Sequence, residues 1–193
     1  MAIFPSHVSS SGIDTFLHCP IAYRLTYIDK REREPGNIYT SFGCAVHKAL
    51  ETNFAQKIKS KVDLPFKEVK EAYDTEMYKQ QKELGRFDAS MLEMINLQAE
   101  ELLYKYMTTV APTLQPIAAE HKFEIELKSI GVTILGYIDL IAEVIATKRK
   151  LIIDYKTTGT STYQKRTQNY VDQMNQLTMY SLAFRKQFGE IED

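Results

Sequence analysis

The sequence predicts a mixed α/β (α+β) fold in which a helical N-terminal region precedes a sheet. Residues 41–108 place apolar side chains at the three- and four-residue spacing of amphipathic helices. Residues 119–156 contain short runs in which apolar and polar side chains alternate, which is the period of a β-strand. Helical spacing returns over residues 166–188. We therefore expect an antiparallel three-strand meander flanked by helices.

Length and composition indicate one globular domain. The chain has 193 residues, of which 44% are hydrophobic and 25% are charged, and this is enough for one sizeable core. We expect a single domain over residues 1–193. Its mostly helical part covers 1–118, and the part over 119–193 contains the strands and the helix that follows them.

The overall charge favours no particular class of partner. The chain has 24 Lys and Arg against 25 Asp and Glu, a net charge of -1, so a polyanion would have to meet a local basic surface. No apolar run approaches the ~20 residues of a membrane span, and the N-terminus lacks signal-peptide features. We expect no membrane partner and a cytoplasmic location. Cys19 and Cys44 alone form no disulfide framework and cannot supply a four-cysteine metal site.

The N-terminal region is predicted to be helical. Ser11 and Asp14 have the spacing of a capping box, which predicts a first helix beginning at Ser11. Pro20 interrupts this helix and can start a second, turn-rich segment, IAYRLTYI. The charged stretch DKREREPGN that follows predicts a loop.

Three longer helices are predicted next. From Ser41 onward the apolar residues share one helical face, and His47 lies on or beside that face. Residues 66–84 and 88–108 have helical composition and are separated by Gly85.

The strands are predicted to begin after two proline breakers, Pro112 and Pro116. The run AEHKFEIEL alternates with a period of two, and a turn at residues 129–131 leads into VTILGYIDLIAEVI. LIIDYKT supplies the third strand, and an amphipathic helix over 166–188 ends the predicted order.

Three residues on the second and third strands could carry chemistry. Residues two apart on a strand share a face, so Asp154 stands beside Lys156. Asp139 lies in an apolar run on the neighbouring strand, where an unpaired carboxylate is costly. Two neighbouring aspartates predict a site for a hard divalent cation such as Mg²⁺ or Mn²⁺. The alternative is a buried Asp–Lys ion pair that binds no metal.

Other candidate residues are ambiguous when taken one at a time. His47 has the position of either a ligand or a hydrogen-bonded core histidine. Glu120 could reach the same cation and ranks above Glu124, although alternating charges on a strand usually form a solvated face. Gln176 and Tyr180 share one face of the last helix, where they could hold a phosphate, orient Lys156 or belong to an ordinary amphipathic surface.

Taken in order, these residues resemble the PD-(D/E)XK nuclease superfamily. Within it, the chain is most similar to the RecB-like exonuclease group, which includes the AddB nuclease domain and CRISPR-associated exonucleases. Five motifs carry the resemblance: S-x-x-x-x-F-x-x-C-P-x-x-Y from Ser11 to Tyr23, G-x-x-x-H from Gly43 to His47, G-x-x-D from Gly136 to Asp139, D-x-K from Asp154 to Lys156, and Q-x-x-x-Y from Gln176 to Tyr180.

The resemblance implies a restriction-endonuclease-like core with a central mixed sheet. It implies four metal ligands, with Glu120 as a further candidate: His47, Asp139, Asp154 and the backbone carbonyl of Tyr155. Lys156 would position the attacking water or help to deprotonate it, whereas Gln176 and Tyr180 would hold the DNA strand and the lysine.

The implied activity is that of a Mg²⁺- or Mn²⁺-dependent deoxyribonuclease, an exonuclease acting on DNA ends in repair, recombination or phage replication. A helicase or recombination protein is an expected partner. The alternatives are a non-catalytic DNA-binding module and a structural subunit of a helicase–nuclease assembly. Intact Asp139, Asp154 and Lys156 disfavour the first alternative.

The chain departs from the family pattern in two respects. Some relatives hold an iron–sulfur cluster with one N-terminal and three C-terminal cysteines, whereas no cysteine follows Cys44 here. A cluster held by four cysteines of this chain is excluded. The family's sheet also gains a strand after the Q-x-x-x-Y helix, whereas this sequence stops at GEIED. We therefore expect either a fragment, whose missing part could hold the cysteines, or a compact variant.

Overall fold

The mixed α/β fold expected from the sequence is confirmed, with helices flanking a four-stranded mixed sheet. The computed structural model describes residues 5, 7–32, 36–85, 87–157 and 174–188. The helices in these ranges are α1 (Ser10–His18), α2 (Pro20–Tyr23), which continues into a π-helical turn (Arg24–Ile28), α3 (Ile38–Ser60), α4 (Phe66–Leu84), α5 (Ala89–Thr109) and α6 (Asn175–Phe188). The strands are β1 (His7–Val8), β2 (Leu114–Leu127), β3 (Val132–Val144) and β4 (Lys150–Ile153).

The sheet contains both strand directions. β3 pairs with β1 in parallel and with β4 in antiparallel orientation, and β2 also lies beside β3. A short turn over residues 128–131 connects β2 to β3, and this connection requires an antiparallel pair. The meander β2–β3–β4 is therefore as predicted, whereas the two-residue β1 was not anticipated.

The chain divides into two compact units, which are described separately. Unit 1 comprises Met1–Glu34, Lys122–Ile138 and Thr158–Asp193. Unit 2 comprises Pro35–His121 and Asp139–Thr157.

In unit 1, the start of the first helix differs from the prediction. The N-cap is Ser9, whose hydroxyl accepts a hydrogen bond from the Gly12 amide at 3.1 Å. The predicted cap at Ser11 is wrong, because three consecutive serines, Ser9 to Ser11, stand at the start of this helix and the first of them reaches the free amide.

Gly136 lies against an aromatic ring in unit 1. A Cβ atom there would be 2.5 Å from Cζ of Phe123, and the Phe123 ring packs edge-on against Tyr180 with centroids 5.8 Å apart. The glycine of the G-x-x-D motif is therefore needed for packing. Gln176 donates a hydrogen bond to the hydroxyl of buried Tyr180, so the predicted adjacency of these two residues on the last helix is confirmed. That helix is described from Asn175, and the part of the prediction before residue 174 lies outside the described residues.

The core of unit 2 lies between three helices and the paired parts of β3 and β4. The buried apolar face of α3 contains Val46, Ala49, Leu50 and Phe54, as predicted, and it shares one cluster with Leu140 of β3. Helix α3 begins at Ile38, before the predicted Ser41, because Asn37 caps it by accepting from the Tyr39 and Thr40 amides. The ends of α4 and α5 agree with the prediction to within one residue.

A buried charge fixes the C-terminal end of α3. Lys57, 2% exposed, donates to Asp63 at 2.6 Å and to the Ala111 carbonyl at 2.8 Å. Asn53 donates to the other oxygen of Asp63 at 2.8 Å. Because both charges are paired and hydrogen-bonded, their burial is tolerated, and the helix end is tied to the segment that leads into β2.

Strand β2 starts earlier than predicted, and the alternation of buried and exposed side chains shifts by one residue within the strand. It includes Pro116, so the interpretation of this proline as a strand-preceding breaker is wrong. Buried residues occupy positions 114 and 116 but then positions 123 and 125. Between them, Glu120 has a φ of 46°, a left-handed conformation that is typical of a β-bulge and inverts the alternation of side chains.

Candidate metal centre and active site

The two aspartates lie side by side at the end of the β3–β4 pair in unit 2. The last paired residues are Leu140 and Ile153, so the next position on each strand is Asp139 and Asp154. β4 ends at Ile153, so the prediction that the third strand includes Asp154 and Lys156 is wrong: the D-x-K residues follow the strand and are not held by its ladder. The predicted pairing of the two strands is confirmed, and it brings Asp139 and Asp154 to neighbouring positions at its end.

The backbone of Tyr155 is held on both sides by side chains. Its N–H donates to Oδ2 of Asp139 at 2.7 Å. Its carbonyl oxygen lies 2.7 Å from Nε2 of His47, while Nδ1 of the same ring is 3.6 Å from Asp139 Oδ2. Side chains from two distant segments therefore hold the two peptide groups on either side of the Tyr155 Cα atom.

Glu120 joins this group from the position in β2 that has the left-handed backbone conformation. One ligand atom each from His47, Glu120 and Asp139 lies within 4.8 Å of the others. By contrast, Glu124 pairs with Lys122 at 2.8 Å on an exposed part of the strand. The preference for Glu120 over Glu124 follows from the left-handed residue, which the alternating sequence pattern did not indicate.

Burial and mutual repulsion make the two clustered carboxylates hard to ionise. The pKa of Asp139 is raised, mainly by burial, although the Tyr155 amide and His47 oppose the shift. The pKa of Glu120 is also raised by burial, and the charges of Asp139 and Glu51 add to this. Both groups would be stabilised in their charged form by a nearby cation.

The donor set fits a hard divalent cation. It offers two carboxylates, one imidazole nitrogen and the Tyr155 carbonyl, which are ligand types that Mg²⁺ and Mn²⁺ accept. Neighbouring ligands of an octahedral ion with 2.0–2.1 Å bonds lie about 3 Å apart. The separation of 2.7 Å between His47 Nε2 and the Tyr155 carbonyl oxygen is of this order. A structural histidine in the core is the less economical interpretation, because it leaves the repelling carboxylates uncompensated.

Asp154 and Lys156 form an ion pair beside the cluster. Asp154 Oδ2 lies 2.6 Å from Lys156 Nζ, with the aspartate side chain 6% exposed and the lysine 37% exposed. The charge of Asp154 raises the pKa of Asp139 and that of Lys156 lowers it, although burial is the largest influence. The Asp–Lys ion pair considered from the sequence is therefore present, and the three residues that could hold a metal ion lie beside it.

Comparison with protein-family models gives a match to the PD-(D/E)XK nuclease superfamily over residues 7–192. The chain belongs to this superfamily. No curated protein sequence matches it significantly. Membership of the PD-(D/E)XK superfamily implies a metal-dependent nuclease that acts on DNA. No helix within the described ranges is both long and apolar enough to span a membrane.

In this PD-(D/E)XK nuclease, the cluster opens into a cleft of unit 2 with a volume of about 830 Å³. The cleft is lined by His47 and Glu120 together with Lys48, Glu51 and Lys79. Lys48 pairs with Glu51 at 2.8 Å, so the walls contain both acidic and basic side chains. The ligands are thus accessible from solvent on one side and packed against the core on the other.

Gly43 brings α3 close to the end of the D-x-K segment. A Cβ atom at this position would be 3.0 Å from Oγ1 of Thr157, tighter than nearly all real Cβ contacts. The glycine of the G-x-x-x-H motif therefore sets the distance between His47, one turn further along, and the residues after β4.

Sequence reasoning missed two residues that affect the centre. Glu51 influences Glu120, and it could have been found because it lies one helical turn after His47 on the same face. Tyr106 packs on Tyr155, but no local pattern relates these distant positions. Gln176 and Tyr180 belong to unit 1, and their predicted contacts with DNA and Lys156 remain predictions.

Proposed function

We propose that this chain is a Mg²⁺- or Mn²⁺-dependent exodeoxyribonuclease of the RecB-like group that hydrolyses phosphodiester bonds at DNA ends. The observation that carries the proposal is the convergence of His47, Glu120, Asp139 and the Tyr155 carbonyl beside the Asp154–Lys156 pair. A role in repair, recombination or phage DNA metabolism, a cytoplasmic location and a helicase or recombination partner are parts of the same proposal.

His47, Asp139, Asp154, Glu120 and the Tyr155 carbonyl would hold the cation. When bound, the cation would offset the charge of the scissile phosphate and lower the pKa of a water molecule. The Asp139 carboxylate also fixes the Tyr155 peptide through its N–H, which orients the adjacent carbonyl.

We assign to Lys156 the role of orienting the attacking water. Its ammonium is held by Asp154 at 2.6 Å and remains 37% exposed, so it is oriented and still reachable. From this position the ammonium, which can only donate hydrogen bonds, would donate to the oxygen of the water and orient it for in-line attack. Gln176 and Tyr180 are assigned to holding the DNA strand and the lysine, on the family resemblance.

The test is cleavage of end-labelled linear and circular DNA, single- and double-stranded, with Mg²⁺, Mn²⁺ or chelator. We expect cutting of linear DNA that requires the cation and falls by about 10²–10³-fold in Asp154→Ala and Lys156→Ala. Lys148→Ala is the control, because Lys148 is an exposed turn lysine paired with Glu143 at 3.2 Å. Metal-independent cutting, or cutting unaffected by both substitutions, would refute the nuclease assignment. Cleavage of circles would refute the exonuclease part.

A further inference from the structure

Four aromatic rings form a continuous row behind the candidate metal centre in unit 2. His47 and Tyr155 are 5.5 Å apart at 90°, Tyr155 and Tyr106 are 6.0 Å apart at 86°, and Tyr106 and Phe54 are 6.3 Å apart at 88°. Each ring thus presents its edge to a face of the next, which is a favoured arrangement. We call these four residues the aromatic row.

The row begins and ends on the same helix. His47 and Phe54 lie on α3, Tyr106 lies on α5, and Tyr155 lies in the segment after β4. Since that segment has left the strand ladder, side-chain packing is what links the Tyr155 ring to the two helices. The Tyr155 ring is therefore inserted between the imidazole of His47 and the ring of Tyr106.

The two tyrosine hydroxyls do not explain the row. Within the described part of the chain, neither Tyr106 OH nor Tyr155 OH has a hydrogen-bond partner of good geometry, and both atoms are buried. Burial raises the pKa of both hydroxyls, so both remain neutral at physiological pH. The two hydroxyls are close enough to affect each other's pKa, after burial as the main cause, but the contacts that form the row are made by the rings.

We propose that Tyr106 is a positioning residue for metal binding: its ring fixes Tyr155, and thereby sets the His47 imidazole and the Tyr155 carbonyl for one cation. This inference rests on the metal-binding role proposed above.

The physical reason is that both ligand atoms depend on the Tyr155 residue. Its backbone carbonyl oxygen lies 2.7 Å from His47 Nε2, and its side-chain ring packs against the same imidazole. A shift of the ring changes the imidazole orientation and the carbonyl position together. Residues that orient ligands in this way typically change metal affinity by 10–100-fold when replaced.

The experiment measures Mn²⁺ binding directly, by the electron paramagnetic resonance signal of free Mn²⁺ and without DNA. We compare the unsubstituted protein with Tyr106→Leu, which removes the ring, and Tyr106→Phe, which removes only the hydroxyl. Tyr106→Leu is expected to weaken Mn²⁺ binding at least tenfold, whereas Tyr106→Phe stays within about twofold.

A control separates positioning from general loss of stability. Ile95→Ala creates a cavity on the same helix, α5, at a residue that is 1% exposed and outside the aromatic row. At a temperature well below each melting transition, Ile95→Ala should bind Mn²⁺ like the unsubstituted protein. Equal affinity of Tyr106→Leu and the unsubstituted protein would overturn the inference, as would an equal loss in Ile95→Ala.

A second variant covers the case in which Tyr106→Leu does not fold. Tyr155→Met keeps the backbone carbonyl and much of the buried volume but removes the ring, and we expect the same tenfold loss of affinity. Unchanged affinity in that variant would overturn the inference while leaving the nuclease assignment intact. If the unsubstituted protein bound no Mn²⁺ and cut no DNA, the proposed function would fail and the inference with it.

Discussion

Asp139 has two roles that can be separated by a substitution of the same shape. Its carboxylate accepts a hydrogen bond from the Tyr155 amide at 2.7 Å, and it also adds a negative charge to a buried cluster. An asparagine side chain retains an oxygen for the amide but removes the charge and weakens metal coordination.

We predict that Asp139→Asn removes the thermal stabilisation caused by Mn²⁺. At 100 times its dissociation constant, a bound cation adds about 2.7 kcal/mol to the free energy of unfolding, which is roughly 5–10 °C in a protein of this size. The measurement is the melting temperature with Mn²⁺ and with chelator. An equal Mn²⁺ shift in both proteins would contradict the assignment of Asp139 as a ligand.

The same variant gives a pH test in chelator. The pKa of Asp139 is raised by burial, so its protonation favours the folded state, and this contribution is lost as pH rises through the folded-state pKa. Ionised Asp139 therefore destabilises the metal-free protein at neutral pH. Asp139→Asn should melt at or above the unsubstituted protein at pH 7, and the difference should shrink towards pH 4. A variant that is less stable at pH 7 would contradict this.

Glu120 is a proposed metal ligand whose backbone has an unfavourable conformation. Its φ of 46° is accessible to glycine without steric cost. We predict that Glu120→Gly is more stable in chelator than Glu120→Ala by about 1 kcal/mol, while both lose Mn²⁺ affinity. Urea unfolding and Mn²⁺ titration test the two parts, and equal stability of the variants would show that the left-handed conformation is not retained.

At the scale of elements, α3 can approach the D-x-K segment closely because Gly43 has a hydrogen atom where other residues have a Cβ atom. We predict that Gly43→Ala lowers nuclease activity at least tenfold without lowering the melting temperature. The new methyl meets Thr157 Oγ1 at 3.0 Å, whereas alanine favours the helix by about 1 kcal/mol.

The partner substitution provides the control for Gly43. Thr157→Ala alone should remain close to full activity, and the double variant Gly43→Ala/Thr157→Ala should recover most of what Gly43→Ala loses. Strictly additive losses in this double-mutant cycle would show that the two positions do not interact.

Elements with strong local signals could be predicted from the sequence, and those without them could not. The ends of α4 and α5 follow from long amphipathic patterns and from Asp88, which caps α5. β1 has two residues and no pattern of its own, since its pairing with β3 defines it. The early start of β2 was missed because Pro116 signals a break, although it is tolerated where no ladder hydrogen bond is required.

The candidate site could be predicted in composition but not in arrangement. The placement of Asp139 beside Asp154 follows from strand pairing. The recruitment of Glu120 requires a left-handed residue, and the support of Tyr155 by Tyr106 requires a contact between distant positions. Neither feature produces a periodic pattern of apolar and polar residues, so neither could be recognised in the sequence.

For the whole molecule, the near-neutral charge restricts how DNA can bind. A net charge of -1 provides little long-range attraction for a polyanion, and the cleft beside the centre contains both acidic and basic side chains. The cation itself should then supply much of the attraction. The expectation of a single domain over residues 1–193 remains a prediction.

We predict that single-stranded DNA binds weakly in chelator and at least tenfold more tightly with Mn²⁺. The inactive Lys156→Ala protein allows this to be measured by fluorescence anisotropy without cleavage. In chelator the dissociation constant should be about 10⁻⁵ M or weaker at physiological salt. Tight binding in chelator, or no effect of Mn²⁺ in this protein, would show that DNA is held mainly by basic side chains.

The clamped peptide of Tyr155 provides a means to observe the centre without substrate. Its amide hydrogen is bonded to a side-chain carboxylate and lies outside the strand ladder, so it can exchange with solvent only when the link to Asp139 opens. The exchange rate of this one hydrogen therefore measures how often the segment between β4 and Lys156 detaches. Binding of the cation should slow the exchange of this hydrogen. Substitutions of the proposed ligands or of the aromatic row should make the exchange faster.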